Sequence, residues 1–424
     1  MIPLLMKPNV RSDLIYRGVR PALDLNFAKN KSLVDNISKT NLITFSRASS
    51  GTFVGSDGLI QTAATDAARF THNPITLESL GLLIEEQRTN LVQASSDFSS
   101  AAWGIGSVTI AANATNAPDG TNTAQLITTS ATSECGFTEF SINATTNTTY
   151  TSSVFVKQNT CRYFILRLLP ASGNASCWFD LQTGTVSFSD TAIVSATITP
   201  YPNGWYRISA TATVGSSVAY QNRFDFRLAS TTGSFGNVVG QSLYMWGAQV
   251  EVGANPSSYI PTTGATVTRA ADNCYINSSN FSSWYNPAQS TIYCDAYTPL
   301  AVITPNSGYF YSFYNTTLGG GYSFAAQILP AGTLAMSYRN VGNFDISMGA
   351  LISNTRSKSA YSLESGLICA SYNNQLSASN NPTSLPTVNI LYIGNQNGLC
   401  LNAPIKRLVY WGIKLPQIQN LTLT

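Results

Sequence analysis

The sequence predicts an all-β protein: two β-sandwiches in tandem, preceded by an extended N-terminal arm. Three observations point there. The chain has 424 residues, too many for one ordinary hydrophobic core, so two or three domains are expected. Charged residues make up 10% of it, against about 25% in an average soluble protein. With 21 Tyr, 19 Phe and abundant Ser, Thr and Asn, that composition suits strands with polar but uncharged faces, and neither a disordered chain nor a helical bundle. Finally, short apolar or alternating runs recur between Gly-, Pro- and Asn-bearing turns.

Residues 1–40 read as the arm. Short apolar pieces alternate with Lys7, Arg11, Arg17 and Arg20 and with prolines at 3, 8 and 21, without a sustained helical period. Such a segment gains order by packing on a partner. Residues 41–89 read as a small β clamp. Leu42, Ile43, Phe45, Phe53, Val54, Leu59 and Ile60 alternate with polar positions, and Asp57-Gly58 between two apolar runs marks a hairpin. The chemistry-bearing residues crowd just beyond. His72 is the only histidine, Glu85 and Glu86 stand side by side, and Arg69 and Arg88 flank them. Residues 81–84 (GLLI) form an apolar run that reads as a buried strand. Charges beside a buried strand usually pair with one another and with backbone groups. Arg69, His72, Glu85, Glu86 and Arg88 are therefore assigned to a structural clamp, with Arg47 and Arg69 in reach of Glu85 or Glu86.

Residues 90–272 carry strand-like runs at 150–157 (YTSSVFVK), 163–169 (YFILRLL), 177–181, 205–214 (WYRISATATV), 224–228 and 243–252 (LYMWGAQVEV). Turns such as Pro118-Asp119-Gly120, Thr183-Gly184 and Pro202-Asn203-Gly204 separate them. Regular short strands argue for a sandwich, with Trp205 and Trp246 packed in its core. Residues 273–288 are polar, contain Trp284-Tyr285, and read as a linker. Residues 289–424 hold a second series of strand-like runs, closing on 405–411 (IKRLVYW).

Three stretches carry a resemblance. Residues 43–63 (ITFSRASSGTFVGSDGLIQTA), 68–74 (ARFTHNP) and 80–92 (LGLLIEEQRTNLV) resemble a segment of many tailed-bacteriophage virion proteins, tail fibres and other appendages among them. The pieces PDGTNTA, FDLQTGTV, NGWYRIS, MWGAQVE and SSYIPTTGATVTRAAD are similar to parts of the carbohydrate-binding-like jelly roll found there. The closing strand resembles that of concanavalin-like lectin folds. The resemblance implies a jelly-roll sandwich over 90–272 and a concanavalin-like one over 289–424. It implies a virion protein assembled in the bacterial cytoplasm, attached to other virion proteins through the arm, recognising a host-surface glycan, and homotrimeric.

Other classes find little support. A net charge of +3 is too weak for a nucleic-acid partner. No apolar run is long enough to cross a membrane as a helix, and residues 1–6 lack the pattern of a signal peptide. The seven cysteines form no CxxC and have no neighbouring histidine, so they read as buried apolar residues, with no metal or cofactor expected. His72 lies far from any nucleophile elbow. Glu85 and Glu86, adjacent on a strand, face opposite sides, which does not suit a pair acting on one glycosidic bond. The chain is expected not to be an enzyme. Three functions stay open: a glycan-recognising appendage, a purely architectural virion protein, and a polysaccharide-degrading appendage. If a sugar binds, aromatics outside the strands are the candidates: Trp103, Trp284 and Tyr285, with Asn280 and Asn286 serving its hydroxyls.

Overall fold

The computed structural model describes residues 18–139, 142–168, 175–215, 224–298, 308–319, 321–329, 332–340, 344–365, 367–373, 375–380, 384–416 and 418. Nearly all regular structure is antiparallel sheet, with two short α-helices, Phe27–Asn30 and Ser278–Ser282, and one 3-10 turn, Pro202–Gly204, among the described residues. The fold is all-β, built on two sandwiches.

The sandwich containing the C-terminal strands is assembled from both ends of the chain. Its eight-stranded sheet runs Gln375–Asn380, Leu367–Tyr372, Arg356–Glu364, Gln289–Tyr297, Ala403–Trp411, Ser79–Ile84, Phe70–His72, with Leu23–Leu25 also paired to Ala403–Trp411. The facing seven-stranded sheet runs Thr44–Ser46, Asn273–Asn277, Ile390–Ile393, Tyr309–Tyr314, Ser323–Ile328, Thr333–Arg339, Phe344–Ala350. Period-two alternation sends Ile292, Cys294 and Ala296 from one sheet, and Phe313, Phe324 and Met336 from the other, into a shared core. Leu82 and Ile84 join them from the early segment. At Gly81 (φ +98°) a Cβ would lie 2.0 Å from the Ile405 carbonyl oxygen, so only glycine lets these two strands close.

The other sandwich is inserted between two parts of the first. Its six-stranded sheets run Ile193–Tyr201, Trp205–Thr213, Thr149–Gln158, Ser242–Val252, Ala124–Thr129, Val108–Thr115, and Thr185–Ser189, Ala175–Asp180, Tyr163–Leu168, Phe224–Ala229, Cys135–Glu139, Trp103–Gly106. Val154, Val156, Ile208, Phe164, Phe179 and Phe226 fill the space between them. The chain enters through Arg88–Asn90 and leaves through Val267–Arg269. These two strands pair antiparallel with each other, Asn90 opposite Val267 and Arg88 opposite Arg269, forming a two-stranded neck. At Gly253 (φ +138°) the Arg88 guanidinium occupies the space a Cβ would need, 1.4 Å away.

Several expectations shift accordingly. The arm expected over 1–40 is, from Gly18 on, part of the C-terminal sandwich: Leu23 and Leu25 are buried in its core, as is Phe27. Residues 1–17 lie outside the described residues. The segment 41–89 is no free-standing clamp, since all but one of its strand pairings belong to the C-terminal sandwich or the neck. The exception is the hairpin Gly51–Val54 with Ile60–Ala63, at the Asp57-Gly58 turn. The stretch 273–288 is no linker either. Asn273–Asn277 is a strand of the seven-stranded sheet. The physical reason is edge cover: without the early strands, Ala403–Trp411 would be left with an unpaired edge and an open apolar face. Trp205 and Trp246 are buried, but on the outer face of the inserted sandwich, beneath Ile60 and Tyr259. The seven cysteines are all free, and Cys369 alone is not fully buried. Burial raises the thiol pKa of Cys161 to about 11 and of Cys177 to about 12.

Candidate functional site

The crowded charges of the early segment meet at the base of the neck. Arg69, wholly buried, donates from Nη1 to Glu85 Oε2 at 2.6 Å and from Nη2 to Asp272 Oδ2 at 2.5 Å. Arg47 reaches the other oxygen of Asp272 at 3.1 Å and donates to the Ala64 carbonyl at 2.7 Å. Arg269 lies 3.6 Å from Glu85 and donates to the Glu86 carbonyl at 2.8 Å. Backbone groups complete the carboxylates. Asp272 Oδ2 accepts from the Glu85 N–H, and Glu85 Oε1 from the Ser258 N–H. Three segments are thereby tied: the early strands, the exit from the inserted sandwich, and through Asn395, which donates to the Asp272 carbonyl, the seven-stranded sheet's side.

The electrostatics follow from burial. Desolvation would raise the Glu85 pKa, but the charges of Arg269 and Arg69 and two bonds from Ser258 outweigh it and hold the carboxyl well below the usual range. Arg47 is lowered by burial and by the Arg69 charge, with Asp272 offsetting only part. A carboxylate held ionised among guanidiniums is a poor proton donor, so this hub is built to hold chain segments together.

The sequence-assigned clamp residues do not all meet. Arg69 and Glu85 are joined. Glu86 turns away to pair with Arg88, as neighbours on an extended backbone should. His72 is separate: its Nδ1 lies 3.2 Å from the Val54 carbonyl oxygen. Arg47, in reach of Glu85 or Glu86 on the sequence reading, goes to Asp272 instead. Asp272, Arg269 and Ser258 were missed, because nothing local pairs residues 173 to 203 positions apart. The one signal for Arg269 and Asp272 was the end of the jelly-roll-like stretch, TRAAD.

The proposed sugar-stacking residues are corrected by their surroundings. Trp103 is 4% exposed, packs against Phe98, Phe137 and Phe226, and donates its indole N–H to the Ala94 carbonyl. Trp284 is 9% exposed and packs 4.8 Å from the Tyr410 ring. Tyr285 stacks on Phe281 at 4.6 Å, and burial pushes its hydroxyl pKa up. Asn280 donates to the Leu42 carbonyl and Asn286 to the Gly412 carbonyl. Trp103 is thus part of the inserted sandwich's core, while the other four seal the C-terminal sandwich. A ring flanked by Ser and Asn looks exposed in sequence, yet a short helix turns this one inward.

A second charge row lies on the outer face of one sheet of the inserted sandwich, itself buried, with Arg167 and Arg227 6% exposed and Asp225 1%. In Tyr163–Leu168 and Phe224–Ala229 the inward positions are apolar and the outward ones carry Arg167, Asp225 and Arg227. Arg167 donates to Asp225 at 2.5 Å and doubly to Glu134, at 3.2 and 3.0 Å. Thr138 donates to Asp225 at 2.7 Å and accepts from Arg227 at 2.7 Å. Burial alone would lower the Arg167 pKa, but the two carboxylates raise it. Beside this row stands Trp178, its indole N–H on the Ser234 carbonyl. It is flanked by Phe235 at 5.0 Å and Phe188 at 5.2 Å. Phe188 is 45% exposed, on Thr185–Ser189, an edge strand exposed at every position. Next to it Arg162 makes a two-pronged pair with Asp180, at 2.9 and 2.6 Å, which draws the Asp180 pKa down to about 2. The period-two pattern of YFILRLL and FDFRLA was the available sign of this charged face.

The fold and these two features define a class: an all-β protein of two sandwiches, one inserted into the other and locked by a buried charge hub. No known protein family matches the chain, and no curated protein does. Among solved structures, the CBM40 of the Ruminococcus gnavus IT-sialidase bound to α2,3-sialyllactose is similar over 33% of this chain and 84% of its own, at 18% identity and a TM-score of 0.28. The K499G mutant of NanB sialidase from Streptococcus pneumoniae matches 35% of this chain and 26% of its own, at 13% identity and 0.30. A native heptameric SAP-like pentraxin from Limulus polyphemus matches 32% and 68%, at 13% and 0.24. Likeness at these scores carries no functional argument.

Proposed function

We propose that the chain is a non-catalytic appendage protein of a tailed-bacteriophage virion that recognises a glycan of the host surface through the inserted sandwich. The carrying observation is Phe188: an exposed ring on an open edge strand, braced from behind by buried Trp178, with the half-exposed Arg162 on Asp180 two positions along the same neighbouring strand. An aromatic face with adjacent charged hydrogen-bonding groups suits a pyranose, which offers CH patches and hydroxyls. The virion setting rests on the resemblance of residues 43–92, and attachment through the N-terminal residues and a trimeric assembly rest on the same ground. The non-catalytic reading is supported by the carboxylates. The pKa values of Glu78, Glu85, Asp97 and Asp180 are displaced downward, whereas a glycosidase's general acid needs the opposite.

The test is a glycan array with the full chain and with Phe188→Ala. Loss of array binding at an unchanged Tm supports the site, since substitutions at exposed positions usually alter stability by about 0.5 kcal/mol or less. Equal binding by both proteins places recognition elsewhere. No binding by either favours the architectural reading, which draws on a different observation: the segment most like virion proteins builds the buried hub rather than a surface.

A further inference from the structure

The buried charges at the base of the neck do not cancel. Arg47, Arg69 and Arg269 contribute three guanidiniums, Glu85 and Asp272 two carboxylates. Glu86 does not correct the balance, because Arg88 already matches it. Asp66 is exposed, and it accepts from the backbone N–H of Arg47.

Arg269 is the worst served of the three. Its nearest carboxylate oxygen is 3.6 Å away, where Arg69 has one at 2.6 Å and another at 2.5 Å. Its remaining bonds go to two backbone carbonyls, of Glu86 and Ala270. Its Nε is buried and without a partner, although the residue is only 1% exposed. A desolvated cation lacking a close counter-charge is costly.

Arg269 also lines a cavity of about 80 Å³, together with Ser49, Gly51, Thr52 and Thr268. One water needs roughly 10–15 Å³ on this measure, so there is room for several waters or a halide, but none for a sugar ring. Ser50, Thr62, Val267 and Thr268, which border the cavity, are exposed, giving an ion a route in from solvent.

We propose that this cavity binds a small monovalent inorganic anion of halide type, which supplies the missing negative charge beside Arg269. The ion sits where the Gly51–Val54 hairpin meets the Val267–Arg269 strand. Its binding therefore ties the exit of the inserted sandwich to the early segment, and it stabilises only the assembled junction.

The test uses the full chain with chloride as the probe, ionic strength being held constant with sodium gluconate. The expected result is a saturable rise of Tm with chloride and a saturable broadening of the chloride-35 NMR line. Arg269→Gln should weaken both at least about tenfold, the factor for one hydrogen bond to a charged group. Arg269→Lys, which keeps the charge, should retain a chloride-dependent Tm even if the glutamine variant does not fold. A Tm that follows ionic strength alone, without saturable line broadening in the unaltered chain, overturns the proposal. So does an undiminished response in folded Arg269→Gln, which would place the ion elsewhere.

Discussion

Arg69 and Asp272 stand 203 positions apart in the chain, yet Nη2 of one lies 2.5 Å from Oδ2 of the other with both side chains fully buried. Between them in sequence lies the whole inserted sandwich. Their contact is thus the point at which the chain, after its excursion, is fastened back to the segment it left.

Breaking that contact from one side should be expensive. Asp272→Ala leaves Arg47 and Arg69 buried with a single remaining carboxylate, Glu85, on Arg69. The expected loss is about 3–5 kcal/mol, the range for removing one partner of a buried pair. Equilibrium denaturation with guanidinium measures it. A loss below about 1 kcal/mol would mean that water already reaches the hub.

The same hub sets the acid limit of stability. Glu85 has a folded-state pKa held below its unfolded value of about 4.3. A depressed carboxylate contributes stability that is complete above the unfolded pKa and is lost as pH falls toward the folded one. Stability should therefore be flat from neutral pH down to about pH 5 and decline below about pH 4. Glu85→Gln should lower the plateau and flatten the decline. Denaturation midpoints across a pH series check both; an unchanged acid limb in the variant would assign the decline to other carboxylates.

Trp284 separates packing from binding. It sits against Phe281, Phe313 and Tyr410 in the C-terminal sandwich. Trp284→Ala should cost about 3–5 kcal/mol by cavity formation. Glycan binding per folded molecule should not change, because the ring is closed off from solvent. A variant with unaltered Tm but lost binding would restore the ring to the surface.

Much of the inserted sandwich was legible in the sequence, and for a local reason. Strand alternation in YFILRLL and FDFRLA and turns such as Thr183-Gly184 act over a few residues, so the runs at 163–169 and 224–228 coincide closely with Tyr163–Leu168 and Phe224–Ala229. The Asp57-Gly58 hairpin was readable for the same reason. What stayed hidden was long-range. Nothing in LDL at 23–25 announces pairing with residues 408–410, and the polar run at 273–277 looks like a connection until Cys274 and Ile276 are seen facing the core. The charges of the hub were visible one by one, but their partners were not. Arg69 and Glu85 are 16 positions apart and could be linked by eye; Asp272 could not.

The insertion makes the two sandwiches unequal as folding units. Residues 91–266 contain both six-stranded sheets complete, and they begin and end at a neck whose strands are hydrogen-bonded neighbours, about 5 Å apart. That piece should fold alone with a cooperative transition. Residues 289–424 should not. They lack Leu23–Leu25, Phe70–His72 and Ser79–Ile84 from one sheet and Thr44–Ser46 and Asn273–Asn277 from the other, which leaves one edge of Ala403–Trp411 and of Ile390–Ile393 unpaired and part of the core open to water. A chain with 91–266 replaced by a short Gly-rich turn should fold, since the neck already holds its two ends together. Circular dichroism melts of the three proteins decide the matter. A cooperative melt from 289–424 alone would show that the early strands are an added layer, and that the C-terminal sandwich does not depend on them.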